Sequence, residues 1–236
     1  MKIEVCINQL ADVSRVQDLS IDRIELCIEL GCGGITPSLA MIEKAVAISH
    51  VRIHVLVRLR SGDFMYSALD YEMMMATCQA IQDLGAAGIV TGGLTPERSL
   101  PLPILKKFRK ALPSCALYFH RAFDELQQPE IGISQLQELG FDGVLTSGQA
   151  LTAEEGFDTL VQWQKRCPSP FVLLPGSGIG PDNCLKFQDA GFEWVHLSAK
   201  QRIHTTKHSM FAAPQYQVDR ELLKKVVTLL KKDPQS

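Results

Sequence analysis

The sequence predicts a single-domain α/β fold, the TIM or (β/α)8 barrel, over residues 1–236. Short apolar segments alternate with helical patterns eight times along the chain, and 236 residues is close to the length of one such barrel. Leu-Gly or Ala-Gly pairs also end three predicted helices just before the next strand, at 84–85, 139–140 and 190–191. Glycine here allows the left-handed backbone that ends many helices, so the repeats share one turn chemistry.

The eight predicted strands are short, apolar and bounded by polar or turn residues. Such continuous apolar runs are typical of parallel strands that are covered on both faces. In chain order, the strands are expected at 2–7, 22–27, 52–58, 88–91, 115–119, 143–146, 171–174 and 193–198.

The predicted helices have recognisable ends. Pro37 can open the second helix, and Gly85 stops the third. Thr152 and Glu155 match a capping box, in which each side chain accepts a hydrogen bond from the other residue's backbone. In chain order, the helices are expected at 13–18, 39–49, 70–84, 102–111, 131–139, 152–165, 183–190 and 220–232.

Composition and charge exclude several classes of protein. The chain is 46% hydrophobic and 21% charged, with a formal net charge of -2, which argues against a nucleic-acid partner. No apolar run approaches the roughly 20 residues that a membrane span needs, and the N-terminus lacks a signal-peptide core. The seven cysteines are odd in number and contain no C-x-x-C pair, which argues against disulfides and a zinc ribbon. We therefore expect a cytoplasmic protein without a membrane partner.

One long irregular segment, 201–218, follows the eighth predicted strand and carries His204 and His208. We expect it to be a mobile or interface loop, and we expect the protein to form a homo-oligomer.

Ionisable and thiol side chains gather at the ends of the predicted strands. The clearest case is the segment CALYFHRAFD at 115–124, in which an apolar strand runs directly into charged residues. In a TIM barrel the carboxyl ends of the strands converge on one site. The candidate residues on this basis are Glu4, Cys6, Glu25, Cys27, His54, Arg58, His120, Arg121, Asp124, Thr146, Ser147, His196 and Ser198.

Several of these residues also have a purely structural interpretation. Glu25 and Arg58 could form an ion pair that fills the barrel centre, and His54 could be a hydrogen-bonded core histidine. Cys6 and Cys27 could be small buried apolar residues. However, each cysteine follows a glutamate by two residues on neighbouring strands, so the two thiols could meet and bind a soft cation such as Cu(I).

An anion site is the other interpretation. Gly176 and Gly178 follow the seventh predicted strand, where barrels often bind phosphate, although the sequence favours a plain glycine-rich turn at this position. Arg58, Arg60 and Arg121 could bind an anion with two hydrogen bonds each.

Seven sequence blocks resemble the CutC copper homeostasis protein family. They are DRIELC at 22–27, GGITPS at 33–38, GDFMY at 62–66, FHRAFD at 119–124, LTSG at 145–148, GSG at 176–178 and HLSA at 196–199. They occur in the order typical of the family, and the resemblance covers the chain from Glu4 to about Ala199.

The resemblance implies a TIM barrel, a cytoplasmic location and a role in copper handling. It also implies Cu(I) binding by the two cysteines that correspond to Cys6 and Cys27. One departure lies at 58–64, where the family usually has RPRGGDF and this chain has RLRSGDF. Both arginines, Arg58 and Arg60, and the carboxylate of Asp63 are retained.

Two functional hypotheses follow. The first is a copper homeostasis protein that binds Cu(I) through cysteines at the barrel mouth. The second is a metal-independent enzyme of the lyase or isomerase type that acts on a small anionic or phosphorylated metabolite. Its candidate catalytic residues are Glu25, His54, His120 and Asp124, with Asp124 or another carboxylate orienting His120. A third hypothesis is a protein that binds such a metabolite without turning it over.

Overall fold

The computed structural model describes residues 1–203 and 214–231, and within them eight parallel strands form one sheet. The strand order is β7-β6-β5-β4-β3-β2-β1-β8. The strands are β1 (Lys2–Ile7), β2 (Arg23–Leu26), β3 (Arg52–Val57), β4 (Gly88–Thr91), β5 (Ala116–Phe119), β6 (Gly143–Thr146), β7 (Val172–Pro175) and β8 (Trp194–Leu197). A parallel bridge between Gly176 and His196 joins β7 to β8, so the sheet closes into the predicted TIM barrel.

Helices cover the outside of the barrel. They are α1 (Leu10–Val16), α2 (Leu39–Ile48), α3 (Ala68–Asp83), α4 (Leu102–Ala111), α5 (Pro129–Glu138), α6 (Phe157–Gln164), α7 (Cys184–Asp189) and α8 (Arg220–Lys231). None of the helices in the described ranges is long and apolar enough to cross a membrane. The main apolar core lies between these helices and the sheet, and its largest fully buried side chains include Phe108, Phe119, Phe123 and Phe187.

The predicted start of α6 is wrong by five residues. Thr152 and Glu155 do form both hydrogen bonds of the predicted capping box, at 3.3 and 3.2 Å, but these bonds close a turn and the helix begins at Phe157. A Cβ atom on Gly156 would lie 2.0 Å from the carbonyl oxygen of Ser147. The chain therefore passes tightly against the loop after β6 before it can turn into a helix.

The two ends of the expected loop at 201–218 are strands. Lys200–Ile203 (β9) pairs antiparallel with Gln215–Val218 (β10). Residues 204–213 lie outside the described part of the chain, and so do His204 and His208.

The register of β1 with its neighbours decides which side chains meet inside the barrel. Cys6 pairs with Glu25 of β2, and Glu4 pairs with Arg23 on one side and with His196 of β8 on the other. Two layers of polar side chains therefore cross the barrel, with the layer of Cys6 and Glu25 nearer the carboxyl ends of the strands.

Candidate functional site

A pocket of about 400 Å³ opens at the carboxyl ends of the barrel strands. We call these ends the barrel mouth. The sequence-predicted residues that line the pocket are Cys6, Glu25, Arg58, His120, Arg121, Gly178, His196 and Ser198. Residues from six strands or the loops that follow them thus converge on one cavity.

Cys6 and Cys27 lie in contact at one side of this pocket. Their Sγ atoms are 3.5 Å apart. Cys6 lines the pocket, whereas Cys27 is fully buried behind it, 3.5 Å from the carbonyl oxygen of Ile7. The hydrogen bond with Cys27 and burial raise the pKa of Cys6, so both features favour the protonated thiol in the free protein.

Three possible metal-binding side chains cluster around Cys6. One ligand atom each from Cys6, Glu25 and His196 can be chosen so that all lie within 4.8 Å of one another. Together with the nearby sulfur of Cys27, they make a site of two sulfurs, one imidazole nitrogen and one carboxylate oxygen. A thiolate- and imidazole-rich set of this kind suits a soft or borderline cation.

A buried ion pair lies beside this cluster, in the layer of side chains nearer the amino ends of the strands, and it was not among the pairs expected from the sequence. Glu4 accepts hydrogen bonds from Nε of Arg23 and, at 2.7 Å, from Nδ1 of His196. Burial alone would raise the pKa of Glu4, but the charge of Arg23 and the bond from His196 hold it well below its usual value. The guanidinium of Arg23 is 4.3 Å from the ring centroids of both Tyr118 and Trp194.

The two-residue spacing of polar side chains along β1 and β2 could have indicated the ion pair between Glu4 and Arg23. Arg23 precedes Glu25 by two residues, as Glu4 precedes Cys6, so all four side chains point to the same face of their strands. By contrast, the interpretation of Glu25 and Arg58 as a structural ion pair is wrong. The guanidinium of Arg58 donates hydrogen bonds to backbone carbonyl oxygens instead.

Glu25 is buried with one carboxyl oxygen in use and one without a partner. Its Oε1 atom is 3.5 Å from Sγ of Cys6, and its Oε2 atom has no hydrogen-bond partner. Burial raises the pKa of Glu25 to about 7, and this rise persists although the charge of His196 opposes it. The carboxyl group can therefore hold or release a proton near neutral pH.

His120 is held as a neutral ring at the pocket wall. Its Nδ1 atom accepts a hydrogen bond from the backbone N–H of Ala122 at 3.2 Å, so a neutral ring carries its hydrogen on Nε2. Burial lowers the pKa of His120 to about 3. The prediction that Asp124 orients this ring is wrong, because the orienting bond comes from the backbone.

Asp124 instead organises the loop after β6. Its carboxylate pairs with Arg121 at 2.9 Å and accepts hydrogen bonds from the hydroxyl of Thr146 and from the backbone and hydroxyl of Ser147. Arg121 also donates to the Ser147 hydroxyl at 2.7 Å. Of these four residues only Arg121 lines the pocket, so the group shapes one wall rather than presenting Asp124 to a ligand.

Four of the remaining candidates do not line the pocket, namely His54, Arg60, Asp63 and Gly176. His54 packs against the Tyr118 ring at 5.4 Å inside the barrel and does not line the cavity. Arg60 and Asp63 form an exposed ion pair of 2.8 Å in the loop after β3.

The two candidate glycines are packed against neighbouring side chains. A Cβ on Gly176 would approach Leu145 and His196 at 2.6 and 3.2 Å, and a Cβ on Gly178 would approach Thr152 at 3.3 Å. Both glycines therefore have a packing role.

Comparison with known proteins identifies close relatives along most of the chain. The CutC family model matches residues 1–201. A CutC family protein of Pasteurella multocida is 37% identical over 201 residues, covering 85% of this chain and 82% of the relative. A CutC family protein of Bacteroides thetaiotaomicron is 36% identical over 204 residues, covering 86% of this chain and 82% of the relative.

Solved structures show the same relationship. The CutC protein of Streptococcus agalactiae, provisionally assigned to copper homeostasis, superimposes with a TM-score of 0.79 at 26% identity over 84% of this chain and 98% of its own. The 3-hexulose-6-phosphate synthase of Salmonella typhimurium superimposes with a TM-score of 0.60 at 14% identity over 98% of both chains, a likeness of fold alone. The family model and the sequence relatives together show that this chain belongs to the CutC family.

Proposed function

We propose that this protein binds Cu(I) at the barrel mouth through Cys6 and Cys27 and acts in copper homeostasis. The observation that carries the proposal is the pair of thiols, whose sulfur atoms are 3.5 Å apart beside an open pocket. Membership of the CutC family supports the copper role. Thiolate sulfur is the protein ligand that most favours Cu(I).

In this function copper is the cargo of the protein. The ion would reach Cys6 through the pocket and then engage Cys27 behind it, displacing protons from the thiols. His196 offers a nitrogen ligand, and its bond to Glu4 fixes the orientation of the ring. We place this activity in the cytoplasm, because a two-thiol site needs reduced cysteines.

A Cu(I) titration against a chromogenic chelator under anaerobic conditions tests the proposal. The Cys32→Ala variant is the right starting protein, because Cys32 is exposed and can bind copper non-specifically. We expect one tightly bound Cu(I) per chain. Failure of this variant to compete with the chelator would contradict the proposal.

A second candidate function is acid–base catalysis on a small anionic metabolite. Three buried polar atoms without a partner favour it, namely Oε2 of Glu25, Nε of Arg58 and Nε2 of His120, all on residues that line the pocket. Buried polar groups in native proteins are normally paired, so a ligand with matching groups would complete them. Glu25 would transfer the proton in a lyase or isomerase reaction. His54 and Asp124 do not line the pocket, so Glu25 is the stronger candidate for this role.

Hydrogen exchange into candidate substrates tests this second function. We expect the protein to catalyse deuterium incorporation from D2O into a member of a panel of small carboxylates and phosphate esters, followed by proton NMR. Glu25→Gln should slow the exchange by about 100-fold or more, as loss of a general base does. Glu193→Gln, at an exposed ion pair with Lys2, is the matched control. An equal rate in Glu25→Gln would exclude Glu25 as the base.

A further inference from the structure

Arg58 carries a buried positive charge with no carboxylate beside it in the described ranges 1–203 and 214–231. The side chain is 6% exposed, and none of the salt bridges among the described residues includes Arg58. Its guanidinium donates instead to the carbonyl oxygens of Cys32, Gly34 and Gly62, at 2.9, 3.1 and 2.8 Å. Carbonyl oxygens satisfy its hydrogens but do not neutralise its charge, and a buried charge is normally paired.

The same guanidinium keeps one donor free. The Nε atom of Arg58 is buried without a partner, and so is Nε2 of His120. Because Nδ1 of His120 accepts a backbone hydrogen bond, the free nitrogen of the neutral ring is a donor. Two unused N–H groups therefore belong to residues that line one cavity.

Phe64 holds these two residues in a fixed arrangement. Its ring lies 4.8 Å from the guanidinium carbon of Arg58 and 5.0 Å from the centroid of the His120 ring. Gly92 leaves no room behind the imidazole, since a Cβ there would approach it to 2.8 Å. The donors are thus positioned before any ligand arrives, which reduces the cost of binding.

We propose that Arg58 and His120 form a seat for one oxyanion, a carboxylate or phosphate group of a small metabolite, at the barrel mouth. The oxyanion accepts hydrogen bonds from Nε of Arg58 and Nε2 of His120 and supplies the missing negative charge. The proposal rests on the pocket of the second candidate function and names the group that its substrate presents. It does not depend on copper, because neither donor belongs to the cluster of Cys6, Glu25 and His196.

Calorimetric titration of the full chain with inorganic phosphate and, separately, with malonate tests the seat. We expect binding of one of the two ions at millimolar or lower concentration; phosphate alone indicates a phosphorylated ligand and malonate alone a carboxylate ligand. Arg58→Lys keeps the charge but loses Nε, and it should weaken binding about 10- to 100-fold, the effect of one charge-assisted hydrogen bond. Arg166→Lys, at an exposed ion pair with Glu130, should bind like the wild type.

Two further variants keep the test decisive. His120→Phe removes the Nε2 donor and should weaken binding as Arg58→Lys does, and it provides the result if Arg58→Lys does not fold. The double variant Cys6→Ala/Cys27→Ala should still bind the oxyanion. No binding of either ion by the wild type, or unchanged binding in both Arg58→Lys and His120→Phe, would overturn the seat. Oxyanion binding without hydrogen exchange into any substrate would leave the seat intact and refute the acid–base function.

Discussion

The double variant Cys6→Ala/Cys27→Ala, made in the Cys32→Ala background, is expected to lose Cu(I) binding. Cys6 is the only sulfur-containing residue that lines the pocket in the described part of the chain, and Cys27 lies in contact with it. Glu25 and His196 alone are a poor site for Cu(I). Loss of a group outside the coordination shell already costs 10- to 100-fold in metal affinity. We therefore expect a loss greater than about 100-fold in competition with a chromogenic chelator.

The matched control replaces two buried cysteines away from the pocket. Cys115 and Cys184 are buried thiols whose sulfur atoms lie 3.8 Å from backbone carbonyl oxygens. Cys115→Ala/Cys184→Ala should therefore retain the wild-type affinity for Cu(I). If both double variants bind equally well, copper is held elsewhere in the protein.

Arg23→Met is expected to destabilise the barrel by about 3–5 kcal/mol, the cost of removing one partner from a buried ion pair. Glu4 is 1% exposed, and the variant would leave its charge with His196 as the remaining partner. The change would also remove the stacking of Arg23 between Tyr118 and Trp194. The free energy of unfolding in urea measures the effect.

Two comparisons separate the buried charge from other effects of the substitution. Arg166→Met removes an exposed ion pair with Glu130 and should change the free energy of unfolding by less than about 1 kcal/mol. Glu4→Gln/Arg23→Met removes both charges and should be more stable than Arg23→Met alone. A cost below about 1 kcal/mol for Arg23→Met would show that the pair does not hold the barrel centre together.

The barrel could be predicted because its signal is repeated. Eight apolar segments separated by helical patterns leave few alternative folds, and the strand ends then specify which side chains converge. The matched offsets of Cys6 and Cys27 from Glu4 and Glu25 likewise predicted that the thiols meet. These inferences need only the period of a strand and the parallel direction of the sheet.

Partners that depend on loops could not be predicted. The guanidinium of Arg58 donates to the carbonyl oxygens of Cys32, Gly34 and Gly62. Because every residue has a backbone carbonyl, the residue types do not indicate which of them will accept these bonds. The ring of His120 is oriented by the N–H of Ala122 for the same reason. The late start of α6 depends on the approach of Gly156 to Ser147. This contact joins two separate segments of the chain, so the capping residues Thr152 and Glu155 could not indicate it.

The most direct test is a crystal of the Cys32→Ala protein loaded with one equivalent of Cu(I), with diffraction measured on both sides of the copper absorption edge. We expect the strongest anomalous peak at the barrel mouth, bonded to the Sγ atoms of both Cys6 and Cys27. A principal peak bonded to neither sulfur atom would contradict the proposed copper site.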